Sequence, residues 1–161
     1  MFRFKEQFIP VYQELFSNVY DRIKEKHPDV KIGNSFALHN VLNKNVKNIV
    51  EELALGDFVA FSYAPTDSLN EINKTPSEAI ENLNQIFEIV KNKKIGLFEI
   101  SWSTSNFVEG DDVSQKIFVE KLFDFYTQNE SKIDFMTWYR YIDQEANSCV
   151  KEEQKIGDQT I

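Results

Sequence analysis

The sequence predicts an α/β fold on a parallel sheet, for three reasons. Short apolar runs of strand length alternate with segments whose apolar residues recur at three- and four-residue steps. The runs are nearly continuous in apolar residues, as in strands buried on both faces of a parallel sheet. The order of elements, α-β-α-β-α-β-α-β, implies parallel strands joined by right-handed helical crossovers. The expectation is four parallel βα units.

The first twenty-odd residues read as a helix, with a stripe of Phe8, Tyr12, Leu15, Val19 and Ile23 widened by Val11, Phe16 and Tyr20. Lys24, Lys26 and His27 suit its C-terminal dipole and Pro28 stops it. Val30 to Leu38 lacks a helical stripe and is rich in strand formers. Val46, Ile49, Val50 and Leu53 return to helical spacing, and Gly56-Asp57 breaks it. Phe58 to Tyr63 is an apolar run of strand length, ended by Pro65 and Asp67. Thr75-Pro76-Ser77-Glu78 is a helix start with a capping box and proline at the first helical position. Ile80, Leu83, Phe87 and Val90 are its stripe. Ile95 to Trp102 is the third strand. Asp112, with Gln115 three residues on, opens a helix carrying Val113, Ile117, Leu122 and Tyr126, with Phe118, Val119, Phe123 and Phe125 adding bulk. Ile133 to Tyr139 is the last strand. Past Tyr141 the chain turns polar; residues 1–145 are assigned to one domain unit and 146–161 to a polar tail or frayed helix.

Composition narrows the function classes. The 161 residues carry 26 acidic and 18 basic side chains, a net charge of −8, which argues against non-specific nucleic-acid binding. Fourteen Phe, six Tyr and two Trp supply a core. One cysteine, Cys149, excludes an internal disulfide. No apolar run is long enough to span a membrane, and the start lacks the apolar stretch of a signal peptide, so no membrane partner is expected and localisation stays unassigned. No Gly-rich phosphate loop, zinc spacing or Gly-x-Ser-x-Gly elbow is present, so neither a cofactor nor a metal is expected.

In parallel sheets and (β/α)₈ barrels, functional groups gather at the C-terminal strand ends. Those ends carry His39, then Tyr63, then Glu99 and Trp102, then Trp138. Glu99 stands inside an apolar strand, and a buried carboxylate is costly unless paired or hydrogen-bonded. It is either a functional acid or a strand-end glutamate satisfied by a nearby Lys or Arg. His39 is an acid, base or orienting donor, or else a loop histidine. Tyr63 is a donor to a carboxylate or a half-buried strand tyrosine. Trp102 and Trp138 are a sugar-stacking platform or core packing. One carboxylate, a His, a Tyr and two Trp on one sheet edge suit a carbohydrate site.

Phe98-Glu99-Ile100-Ser101-Trp102-Ser103-Thr104 resembles the seventh-strand motif of clan-A glycoside hydrolases, a group that includes the endo-galactanase and β-glucanase families. Residues 31–36, 57–65 and 135–139 resemble the fifth, sixth and eighth strands in order, so the resemblance covers residues 5–145. It implies the second half of a (β/α)₈ barrel, a TIM barrel, whose parent reaction is hydrolysis of a glycosidic bond with retention. Glu99 would be the nucleophile. Tyr63 matches the tyrosine that hydrogen-bonds the nucleophile, and Trp138 matches an aromatic near the sugar subsite. His39 and Trp102 are carried as substrate-binding residues. Retention needs a second carboxyl about 5 Å away as acid/base; in the clan it ends strand four, ahead of the first helix, and Glu6 and Glu14 do not match it. A complete barrel takes about 250 residues. The expected partners are therefore a carbohydrate and either a second copy of the chain or an N-terminal half, and the chain alone is expected to be inactive. The alternative is a non-catalytic carbohydrate-binding or assembly module that completes a barrel with a partner chain.

Overall fold

The computed structural model describes residues 5–140 apart from 45 and 68. The proposed boundary at 145 and the 146–161 tail lie outside the described residues. The elements run α1 (Lys5–Lys26), β1 (Gly33–Ala37), α2 (Leu38–Asn43), α3 (Lys47–Glu52), β2 (Phe58–Tyr63), α4 (Pro76–Asn84), α5 (Ile86–Ile89), β3 (Lys94–Ile100), a 3₁₀ turn (Asn106–Val108), α6 (Asp112–Gln128) and β4 (Ile133–Trp138).

The four strands form one all-parallel sheet in the order β1-β2-β3-β4, so chain order and spatial order coincide. Crossovers of one hand between successive neighbours place their helices on one face of the sheet. The core matches this. Val59, Phe61 and Tyr63 of β2 and Ile95, Leu97 and Ile100 of β3 pack with Leu38, Ala79, Leu83, Ile86, Phe118, Leu122 and Phe125 from the helices.

The opposite face follows from strand alternation. Phe58 of β2 and Phe135 of β4 meet edge to face at 5.3 Å although β3 lies between their strands. Gly96 of β3 makes this possible, since a Cβ there would stand 2.3 Å from the Phe135 ring. Lys31, just before β1, reaches Asp134 of β4 at 2.6 Å, joining the two edges of the sheet. Both contacts join residues of non-adjacent strands across this face, as in a sheet that is concave on this side.

Several elements differ from the sequence expectation, each for a physical reason. On α1, the residues turned inward are Ile9, with Tyr12, Phe16, Tyr20 and Ile23 partly covered. Phe8, Val11, Leu15 and Val19 form a second apolar stripe that is exposed. The sequence merged two stripes into one. The first strand ends at Ala37, and Leu38 opens the short α2 by burying itself with Val41. The capping box is formed: Thr75 Oγ1 accepts from the Glu78 N–H, and Glu78 accepts from the Thr75 N–H. Asp111, not Asp112, caps α6, accepting from the Ser114 N–H. The inward face of α6 is Phe118, Leu122 and Phe125, while Val113 and Phe123 are exposed.

Polar contacts seat α1. Tyr12 donates to Oδ1 of the buried Asn34, whose amide donates to the Leu53 carbonyl. Tyr20 donates to Asp57 at 2.7 Å, Lys24 pairs with the same carboxylate at 2.9 Å, and the Ile32 N–H donates to it. These three donors hold the Asp57 carboxyl at about 2, the backbone bond from Ile32 being the largest cause.

Candidate functional site

The residues singled out by the sequence occupy three places at the C-terminal end of the sheet. Glu99 is the first. Simple alternation from Ile95 and Leu97 would aim Glu99 into the core. The register avoids this. Leu97 pairs with Met136 and Ile100 with Trp138, so Phe98 and Glu99 together face one residue of β4; the same shift occurs against β2, between Phe61 and Tyr63. This β-bulge returns Ile100 to the core. Glu99 is accordingly exposed, which corrects the expectation of a buried carboxylate. Its backbone lies in the left-handed region at φ 55°, and its N–H donates to Thr137 Oγ1 at 3.1 Å. A non-glycine residue held there carries about 1–3 kcal/mol of strain, and such residues cluster at functional sites.

Trp102 and Trp138 are the second place, and they form no open platform. Trp102 is 4% exposed and packs on Phe118 of α6 with ring centroids 4.9 Å apart; Trp138, 37% exposed, approaches the same ring at 6.3 Å. Trp138 sits on the helix side because Met136 and Trp138 alternate with Phe135 and Thr137 along β4, and Trp102, just past β3, is buried in the helix-side core. The Trp102 carbonyl accepts from Gln115 of α6 at 2.7 Å, which fixes the start of that helix against the strand end.

His39 and Tyr63 are the third. Tyr63 follows Val59 and Phe61 onto the helix side, and its hydroxyl accepts from Asn82 of α4 at 3.0 Å. Asn82 therefore holds the hydroxyl oxygen on the helix side, whereas the role inferred by resemblance has Tyr63 donating to Glu99. Burial pushes this hydroxyl up to about 12. His39, half-buried on α2, lines a cavity of about 260 Å³ with Tyr63, Thr66, Lys74, Asn82 and Gln85. The loop after β2 forms one wall. Asp67 organises it, its Oδ1 accepting from the N–H groups of Leu69 and Glu71, and Thr66 bridges to Ile72. Asn82 and Gln85 were missed in the sequence. The available signal was a polar residue, Asn82, on the inward stripe between Ala79 and Ile86 of an amphipathic helix.

The pocket is hydrogen-bonding in character, and the strand end bearing Glu99 is a solvent-facing carboxylate on a held bulge. Among the described residues, no group of three or more His, Cys, Asp or Glu is gathered where it could hold a metal ion. No described helix is long and apolar enough to cross a membrane. No family model, no curated protein and no solved structure matches the chain.

Proposed function

We propose that this sheet is half of a (β/α)₈ barrel of the retaining glycoside hydrolase type, with Glu99 as its nucleophile. The observation that carries this is the Glu99 bulge: an exposed carboxylate at the C-terminal end of a central parallel strand, held in a strained backbone conformation beside Thr137. The curvature of the sheet supports it. Barrels fill each interior layer with side chains from alternate strands. Here Phe58 and Phe135 come from β2 and β4, while Gly33 and Gly96 of β1 and β3 make room for them. In the proposed reaction the Glu99 carboxylate attacks the anomeric carbon as the glycosidic bond breaks. A second carboxyl, about 5 Å away, protonates the leaving oxygen and later deprotonates the water that hydrolyses the glycosyl ester. By the resemblance, that residue belongs to a strand ahead of α1. This reading gives Tyr63, Trp102 and Trp138 no role in the step, since all three stand on the helix side.

A 2-fluoro glycoside with a dinitrophenyl leaving group tests this, because so good a leaving group departs without acid assistance. Intact mass and peptide mapping are expected to find the label on Glu99, and Glu99→Gln is expected to take none. A label elsewhere, or aryl glycoside turnover that survives Glu99→Gln, overturns the assignment.

The exposed stripe of Phe8, Val11, Leu15 and Val19, next to a strand with one neighbour, favours a second role: an assembly module that joins a partner chain without catalysis. Failure of gluco-, galacto- and manno-configured reagents to label the chain would favour that role.

A further inference from the structure

The cavity beside Tyr63 is separate from the Glu99 bulge, and its hydrogen bonds run in one direction. Lys47 Nζ donates to Gln85 Oε1 at 3.2 Å, Gln85 Nε2 donates to Asn82 Oδ1 at 3.4 Å, and Asn82 Nδ2 donates to the Tyr63 hydroxyl at 3.0 Å. An ammonium group has donors only. It therefore fixes the orientation of Gln85, which fixes Asn82, which leaves the Tyr63 oxygen as an acceptor. The hydrogen of that hydroxyl is left unused by the relay, and Tyr63 lines the cavity. Burial keeps the hydroxyl protonated across the neutral range.

The lining adds further donors and no carboxylate. Lys74 and His39 face the same space, although acidic residues outnumber basic ones in the chain by 26 to 18. The Glu78 carboxylate on α4, within electrostatic reach of Tyr63 and of Lys74, is not part of the lining and accepts from the N–H and hydroxyl of Thr75. At about 260 Å³ the cavity has room for several waters. That suits one sugar-sized molecule.

We propose that this cavity binds a small hydroxylated anion, a sugar-sized polyol bearing a carboxylate or phosphate group, with Lys74 meeting the charge and the Tyr63 hydroxyl donating to the ligand. This site does not depend on the glycosidase reading.

The test is titration of the full chain, followed by ¹H–¹⁵N NMR, with D-glucuronate, D-glucose 6-phosphate and neutral D-glucose. One or both anions are expected to move the resonances of His39, Tyr63, Lys74 and Asn82 saturably, and whichever anion does so identifies the charged group. Glucose is expected to bind at least about tenfold more weakly. Lys74→Met and Tyr63→Phe are each expected to weaken the anion by about tenfold or more, the size of a hydrogen bond to a charged group. An unchanged spectrum outside the cavity shows that each variant is folded. Glucose binding as tightly as the anions, shifts confined to other residues, or no saturable shift above about 1 mM would overturn the proposal.

Discussion

The two faces of this sheet are filled in different ways. The helix-covered face is packed in depth: Phe61, Leu97, Ile100, Phe118 and Leu122 are essentially inaccessible to water. The concave face has no helix among the described elements, and it is filled locally by Phe58 and Phe135 over glycines. The first face supplies stability through buried area. The second sets curvature through the fit of large residues against small ones. The comparison implies that equal truncations on the two faces should have unequal effects.

The largest effect is expected at Phe118, which touches both indoles from α6. Phe118→Ala should cost about 3–5 kcal/mol in urea unfolding, because the ring is buried and neighbouring helices can close only part of the void. Phe98→Ala, on β3 at 40% exposure, should cost less than about 1 kcal/mol. If Phe98→Ala cost as much as Phe118→Ala, the concave face would be covered in solution and the comparison would fail.

A smaller effect is expected at Gly96, where overfilling replaces loss of contact. Gly96→Ala should cost about 1–3 kcal/mol, since its Cβ would press on the Phe135 ring. In a Phe135→Ala background the same change should become nearly neutral. A double-mutant cycle measures the coupling. Equal costs in both backgrounds would show that Phe135 does not set the fit.

What could be read in advance follows from the same contrast. The strands were legible because Phe58 to Tyr63 and Ile95 to Ile100 are apolar runs whatever face they present. Their near-continuity is also why the facing of Tyr63 was not legible: a run without alternation does not tell its two sides apart. The Glu99 bulge left no mark in composition. It is set by register against both neighbouring strands, and local sequence does not encode register. The capping box at Thr75 was legible because both its halves lie within four residues. The seating of α1 was not, because Asp57 and Asn34 lie more than twenty residues from their partners Tyr20 and Tyr12. The pocket relay was hidden because Lys47 and Tyr63 lie 38 and 19 residues from Gln85 and Asn82.

The Asp57 clamp extends the comparison to an element held more by polar contacts than by apolar depth. Of the residues on α1, Ile9 is the buried apolar one, whereas Asp57 receives Tyr20, Lys24 and the Ile32 N–H. The carboxyl sits at about 2 in the folded chain, below the roughly 3.9 of an unfolded aspartate. A depressed carboxyl contributes stability that is fully present above the unfolded value and is lost as pH falls through the folded one. The contribution should therefore be constant from neutrality to about pH 5 and should fade between about pH 4 and pH 2. Asp57→Asn should lower stability at neutral pH and flatten the acid limb, so that variant and wild type converge toward pH 2. Amide exchange should show the loss first in α1, with β2 and β3 still protected. Acid limbs of the same slope in both proteins would mean that the carboxylate does not hold α1, and that the aromatic rings of Tyr12, Phe16 and Tyr20, rather than the charge, seat the helix.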